Sequence, residues 1–358
     1  MGGASHIQWE GNLLKLLDQR FLPEKEDYLE CHTHLDVQHC IRDMIVRGAP
    51  AIGVAAGFAM VLAARFIIQS FHGKNTAFSW LDFETQLIEA GDSLKNTRPT
   101  AVNLSWAVDR MLIKSLAIKD KSPERLLEEM EQEAKNIFDE DIEVNKKIGE
   151  WGSTLIHDNF TILTHCNAGA LATAGYGTAL GVIKSAFYQG KNITVYADET
   201  RPFLQGSRLT AYELQKEGIP VFVIVDGAAG YHLNKGDINC IIVGADRVAA
   251  NGDVANKIGT YTLAVLAKEN NVPFYAAVPF STIDMSIGCG KEIIVEERDS
   301  QEITHLKGIP LTPRGVKVKN PSFDITPSNL ITALITEYGI IYNPNEKKMQ
   351  QFVEKGGG

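Results

Sequence analysis

Three short segments of this chain carry more chemistry than a turn requires: His165-Cys166-Asn167-Ala168-Gly169, Asp198-Glu199-Thr200-Arg201 and Gly244-Ala245-Asp246-Arg247. A purely structural turn needs only Gly, Asn or Asp, whereas these supply a thiol, an imidazole, carboxyls and guanidinium groups. Cys166 follows an apolar run and precedes Asn-Ala-Gly and a helical pattern. A thiol near a helix start feels the positive end of the dipole, which lowers its pKa. Cys166 therefore reads either as a reactive thiol or as a buried, space-filling cysteine. Asp246 stands among small apolar neighbours, Ala245 and Val248-Ala249-Ala250. Such surroundings desolvate a carboxylate, raise its pKa and suit it to general-acid work. The competing reading is a turn or helix-capping aspartate.

Basic residues beside expected helix starts form a second group. Arg47-Gly48-Ala49-Pro50 joins an arginine, a glycine and the first N–H groups of a helix. Arg98-Pro99-Thr100 repeats the theme, and Asn256-Lys257 opens a further expected helix. Helix N-termini flanked by Arg or Lys bind phosphate, so three such places point to a phosphorylated small ligand. Two other motifs carry less. Cys31-His32-Thr33-His34 and His39-Cys40 bracket one or two helical turns, which do not bring six side chains to one tetrahedral point, so no metal is expected. Gly175-Tyr176-Gly177 falls inside a helical run rather than in a strand-to-helix turn, outside the setting of a dinucleotide fingerprint.

The elements that must position these residues change character along the chain. Up to about residue 150 the pattern is helical after a strand-like start. Thr33 with Asp36 forms a capping box for a helix ending at Gly48, Ala49-Pro50 opens the next, and Ser122-Pro123 opens another. From about residue 160, β-rich runs at 160–164, 193–197, 220–225, 240–243 and 273–278 alternate with helix-length runs such as 170–185, 205–216 and 256–268. That alternation predicts βαβ units and a parallel sheet. The expected fold is α/β: a smaller, mostly helical N-terminal domain over 1–150 and a doubly wound, Rossmann-like catalytic domain over 151–358. Ligands of such sheets bind beyond the carboxyl ends of the strands, where Cys166 and Asp246 stand.

The 358 residues are 44% hydrophobic and 22% charged, an ordinary globular balance. A net charge of −9 speaks against a general nucleic-acid binder and requires a local basic pocket for any anionic ligand. Five scattered cysteines without a CxxC read as reduced thiols. No signal peptide is visible. The most apolar stretch, 49–64, stops at Arg65 and is shorter than the ~20 residues of a membrane span, so a buried helix is expected. The cytoplasm is the expected location, with no membrane partner.

At longer range the chain resembles the 5-methylthioribose-1-phosphate isomerase family. The resemblance rests on Arg42-Asp43-Met44-Ile45-Val46-Arg47-Gly48-Ala49-Pro50-Ala51-Ile52-Gly53 and on Asn96-Thr97-Arg98-Pro99-Thr100-Ala101-Val102-Asn103. It continues through His165-Cys166-Asn167-Ala168-Gly169, Glu199-Thr200-Arg201-Pro202-Phe203-Leu204-Gln205-Gly206 and Gly244-Ala245-Asp246-Arg247 on to Asn256-Lys257-Ile258-Gly259-Thr260. The resemblance as a whole spans about residues 7 to 343, nearly the whole chain. The resemblance implies a sugar-phosphate aldose–ketose isomerase of methionine salvage, a homodimer that uses neither metal nor cofactor. It implies Cys166 and Asp246 as the catalytic pair. It also implies Arg47, Gly48, Ala49, Arg98, Gln205, Asn256 and Lys257 as substrate contacts, of which Gln205 has no signal of its own. Residues 226–232 depart from the family's usual turn, with small residues in its place. Two further readings follow from the same fold: an isomerase of ribose 1,5-bisphosphate or another 5-modified ribose 1-phosphate, and a non-catalytic regulatory subunit in translation initiation that binds sugar phosphates or nucleotides.

Overall fold

The computed structural model describes residues 5–73, 77–98, 102–118 and 122–356. Contact density divides the chain into two units, one of Met1–Glu143 with Ala170–Tyr176, the other of Val144–Gly169 with Gly177–Gly358.

The first unit opens with an antiparallel sheet of β1 (Ile7–Trp9), β2 (Leu14–Leu17) and β3 (Tyr28–Cys31). Helices follow: α1 (His34–Arg42), α2 (Ala49–Gly73), α3 (Trp80–Lys95), α4 (Val102–Ala117) and α5 (Pro123–Ser153). The boundary between the units lies inside α5. The capping box is present: Thr33 Oγ1 accepts from the Asp36 N–H, and Asp36 Oδ2 from the Thr33 N–H at 2.8 Å. α1 ends at Arg42 rather than at Gly48, because the backbone turns left-handed at Met44, φ 61°.

α2 is longer than its sequence pattern predicts. Its apolar stretch covers 23 residues, Ala49–Phe71, long enough to cross a membrane by length and composition alone. Arg65 does not end it, since the guanidinium reaches the Gly11 carbonyl at 2.7 Å and the helix runs on. Burial decides its role: 89% of the apolar window is covered inside the structure, as befits a helix apolar all round.

The second unit is built on seven strands: β4 (Thr161–Thr164), β5 (Thr194–Asp198), β6 (Val221–Ile224), β7 (Cys240–Val243), and, after β8 (Arg247–Ala249) and β9 (Val254–Lys257), β10 (Phe274–Ala277). Past β11 (Ile283–Asp284), the short hairpin β12 (His305–Leu306) and β13 (Ile309–Pro310), and β14 (Phe323–Thr326), come β15 (Ala333–Thr336) and β16 (Gly339–Tyr342). The large sheet has the order β16-β15-β10-β7-β4-β5-β6. All its pairs are parallel except β15–β16. The chain thus starts in the middle at β4, runs outward to β6, then returns to β7 and runs outward the other way. This is a doubly wound sheet with its switch point between β4 and β7. Alternate residues feed two cores: Ile162, Val195, Ile242 and Ala277 belong to one, Leu163, Ile241, Val243 and Ala276 to the other. Apolar runs buried on both faces are what parallel strands require, which is why these strands stand out in the sequence.

The helices are α6 (Ala179–Tyr188), α7 (Ala211–Lys216), α8 (Ala229–Lys235), α9 (Thr260–Glu269), α10 (Gln301–Thr304) and α11 (Glu346–Gly356). Two differ from expectation. The run expected over 170–185 becomes a helix only at Ala179, because Gly169 and Gly177 bridge each other and 170–176 leaves to join the first unit. Gly175-Tyr176-Gly177 accordingly lies before α6, not inside a helix. The run over 256–268 begins as a strand: β9 pairs with β8 and β14 in a four-stranded sheet.

Candidate active site

Cys166 follows β4 and Asp246 follows β7, the two strands that flank the switch point. The strands are in register, Leu163 opposite Ile241, so both loops leave the same end of the sheet. The loops also touch: a Cβ on Gly244 would stand 2.8 Å from that of Ala168. No α-helix starts beside Cys166, since only a short 3₁₀ turn, Ala170–Ala172, precedes α6. The helix dipole expected to lower its pKa is therefore not at hand. What the structure shows at Cys166 instead is a left-handed backbone, φ 62°, a conformation uncommon for residues other than glycine.

Thr200 after β5 repeats that conformation at φ 63°, and Leu204 follows at 58°. Thr200 is fully buried, and its Oγ1 accepts the Cys166 N–H at 2.8 Å. Asp226, just past β6, accepts the N–H groups of Thr200 and Arg201, each at 2.8 Å. Thr210 donates to the Cys166 carbonyl at 2.7 Å. It lies in the π-helical turn Gly206–Thr210 that leads into α7, and such turns recur at functional sites.

Beside the thiol, His165 is 2% exposed. Its Nδ1 meets Asp198 Oδ2 at 3.0 Å and its Nε2 meets the Ile258 carbonyl at 2.8 Å. A carbonyl can only accept, so Nε2 carries a hydrogen. Burial opposes the imidazolium, but Asp198 and the Ile258 carbonyl outweigh it and hold the His165 pKa above its ordinary value. Burial likewise raises the Asp198 pKa, with His165 offsetting only part.

His165, Asp198 and Asp226 bring metal-type donor atoms within 4.8 Å of one another. Those atoms already serve the network: both Asp226 oxygens take backbone N–H groups, and the imidazole bridges Asp198 and Ile258. The arrangement reads as a hydrogen-bonded scaffold. Two buried acceptors in the same region, Asp198 Oδ1 and Gln205 Oε1, have no hydrogen-bond partner among the described residues.

Asn256 and Lys257 end β9 rather than open a helix. Asn256 is buried and donates to Thr260 Oγ1 at 3.0 Å. Lys257 Nζ reaches the Ser322 carbonyl at 3.1 Å, over the Phe323 ring. The N-terminus of α9 is already met by an anion from within the protein: Asp324 on β14 accepts the N–H groups of Gly259 and Tyr261 at 2.7 and 2.9 Å. Nothing local in the sequence announces this cap, because β14 lies far along the chain.

The remaining sequence candidates belong to the first unit. Arg47 is 5% exposed. Gly48 has φ 96°, and a Cβ there would stand 2.5 Å from the Ala172 carbonyl oxygen, so both conformation and contact require glycine. Ala49 opens α2. The Arg98 guanidinium lies 3.5 Å from the Met44 sulfur, while Pro99 and Thr100 of its motif fall outside the described residues. At Cys31 and Cys40 the thiols face each other at 3.5 Å, buried. His32 is mostly exposed near Glu30, and His39 lies near Asp43, so the six side chains do not share a centre.

A family model described as the Initiation factor 2 subunit family matches residues 45–343. Methylthioribose-1-phosphate isomerases of Acetivibrio thermocellus and Thermotoga maritima are 53% and 54% identical to the chain. Each alignment covers 97% of this chain, and 99% and 98% of those proteins. The crystal structure of 5-methylthioribose 1-phosphate isomerase from Pyrococcus horikoshii OT3 matches with a TM-score of 0.89 at 39% identity, over 99% of this chain and 97% of that one. That of translation initiation factor eIF-2B, subunit delta, from A. fulgidus matches with a TM-score of 0.84 at 44% identity, over 98% and 100%.

Proposed function

Because this chain belongs to the Initiation factor 2 subunit family and, within it, to the methylthioribose-1-phosphate isomerases, we propose that it converts 5-methylthioribose 1-phosphate to 5-methylthioribulose 1-phosphate. The observation that carries the site assignment is that Cys166 and Asp246 follow the two strands flanking the switch point of a doubly wound sheet, where such folds bind ligands.

Phosphate on the anomeric carbon prevents simple ring opening to an aldehyde. In the proposed reaction the Asp246 carboxyl donates a proton to the ring oxygen as the bond from C1 to that oxygen breaks. Hydrogen then passes from C2 to C1, either through an enol with Cys166 carrying the proton or as a hydride with Cys166 stabilising the transition state. The C2 hydroxyl becomes the ketone and its proton restores Asp246, so substrate and product are isomers and no external oxidant takes part. Arg47, Gly48, Ala49, Arg98, Asn256 and Lys257 are the proposed phosphate and substrate contacts. The buried acceptors Gln205 Oε1 and Asp198 Oδ1 suit hydroxyl donors of a sugar.

The choice of C5 substituent is supported by what nearby cations already do. A 5-phosphate would need a second cationic cluster. Arg201 donates to the Pro202 and Ile303 carbonyls at 3.1 Å each. Arg208 donates to the Phe203 carbonyl and lies over that ring. Arg247 faces Asp284 at 3.8 Å. An uncharged methylthio group makes no such demand. The same proposal places the protein in the cytoplasm as a homodimer, which light scattering in solution would test.

The likeness to the eIF-2B delta structure favours a second reading, a regulatory subunit that binds sugar phosphate without turnover. Measuring kcat/KM for methylthioribose 1-phosphate and ribose 1,5-bisphosphate separates the readings. The methylthio substrate is expected to be preferred. Preference for the bisphosphate would defeat the substrate assignment, and binding without turnover of either would favour the regulatory subunit.

A further inference from the structure

We propose that Thr200 and Thr210 are positioning residues for Cys166, a pair of hydroxyls that hold its peptide unit from both sides. This rests on the reading of Cys166 as the reacting thiol. The left-handed backbone at Cys166, φ 62°, is unfavourable for a residue with a Cβ and persists only where the surroundings enforce it. The enforcing contacts are specific. Thr200 Oγ1 accepts the Cys166 N–H at 2.8 Å and donates to the Asp198 carbonyl at 3.0 Å. Thr210 Oγ1 donates to the Cys166 carbonyl at 2.7 Å and accepts from Asn167 Nδ2 at 3.1 Å.

Each hydroxyl therefore has one donor and one acceptor role filled, which fixes its rotation. Both threonines are buried. Thr200 is in turn anchored through its own N–H by Asp226 Oδ1. The chain of contacts Asp226–Thr200–Cys166 links the ends of β6, β5 and β4 and sets the direction of the thiol. Valine fills the volume of threonine but offers no oxygen, so Thr→Val frees the Cys166 backbone to relax and swing its Sγ. Misplacement of a reacting group by about 1 Å can cost on the order of 10²-fold in rate.

The test uses the full chain with Thr200→Val, Thr210→Val, Thr200→Ser and Cys166→Ser. Two quantities are measured: kcat and KM on methylthioribose 1-phosphate, and the pH profile of iodoacetamide alkylation at Cys166, located by peptide mass spectrometry. Both valine variants are expected to lose about 10–100-fold in kcat with little change in KM, and to alter the alkylation profile. Thr200→Ser is expected to restore both. Folded valine variants with unchanged kcat and alkylation would overturn the proposal. If Thr200→Val fails to fold, Thr210→Val puts the same question to the carbonyl side. Full turnover by Cys166→Ser would remove the catalytic reading of the thiol, while the alkylation profile would still decide whether the threonines hold it.

Discussion

His165 shows how a single buried residue ties the site to pH. Its imidazole is enclosed by Asp198, Asp226 beyond it and the Ile258 carbonyl, and burial is outweighed so that its pKa lies above the ordinary value. The folded state therefore keeps a proton that the unfolded chain releases above about pH 6.5. That stabilising contribution is complete below this pH and is lost as pH rises through the folded value. Urea unfolding between about pH 6 and about pH 9 is expected to show stability falling, with a shallower dependence in His165→Asn; equal slopes in the two proteins would contradict it. Arg98 makes a different prediction. A charge-assisted contact to phosphate contributes about 1.5–3 kcal/mol, so Arg98→Ala is expected to raise KM roughly tenfold or more. An unchanged KM would exclude a phosphate role. At this scale residue type and position past a strand end point to Cys166 and Asp246. The backbone hydrogen bonds around Cys166 are invisible in the sequence, because Thr200, Thr210 and Asp226 come from distant segments, after β5, in the helical turn before α7 and after β6, and nothing local says that they meet the loop after β4.

Among the elements, α9 depends on a partner distant in sequence. Asp324 on β14 accepts the Gly259 and Tyr261 N–H groups, and burial holds its pKa above the ordinary carboxylate value despite those bonds. Removing the carboxylate in Asp324→Ala leaves two N–H groups at the helix start unmet, at a cost of about 1–3 kcal/mol. Urea unfolding would register this, and unchanged stability would show that the cap contributes nothing. The five strands β4 to β7 and β10 are legible within a residue or two, since all are short apolar runs. Four are largely buried, as parallel strands covered on both faces require, while β6 at the sheet edge leaves Phe222 and Val223 exposed. Helix starts are legible in the first unit, at Thr33, Ala49 and Pro123, but two in the second unit are not. Asn256-Lys257 looks like a helix opening because its strand partners, β8 and β14, are short and lack an apolar run. The loop after Cys166 looks helical because Ala170 to Ala174 has helical composition, but Gly169 and Gly177 bridge each other and Asp141 accepts the Ala174 N–H, so the segment stays out of α6. Arg65 makes α2 look shorter than it is, because a charge interrupts the apolar run, whereas its guanidinium simply reaches a carbonyl of the N-terminal segment.

For the whole molecule, the winding of the chain matters most. Starting the large sheet at its centre leaves a switch point between β4 and β7, and the two residues proposed to react stand in the loops after those strands. Strand alternation in the sequence predicts a doubly wound sheet, and the family resemblance implies the chemistry. The strand order, which pairs these two loops, is visible only in the folded chain, since nothing along the sequence says which strands become neighbours. The direct test is kcat on methylthioribose 1-phosphate for Cys166→Ser and Asp246→Asn, with circular dichroism to establish folding. Acid–base help is worth about 10²–10⁴-fold, so each variant is expected to lose at least about two orders of magnitude in kcat, with KM little changed. The double variant is expected to lose far less than the product of the two, because both residues serve one step. A folded Cys166→Ser or Asp246→Asn enzyme turning over at the wild-type rate would contradict the account.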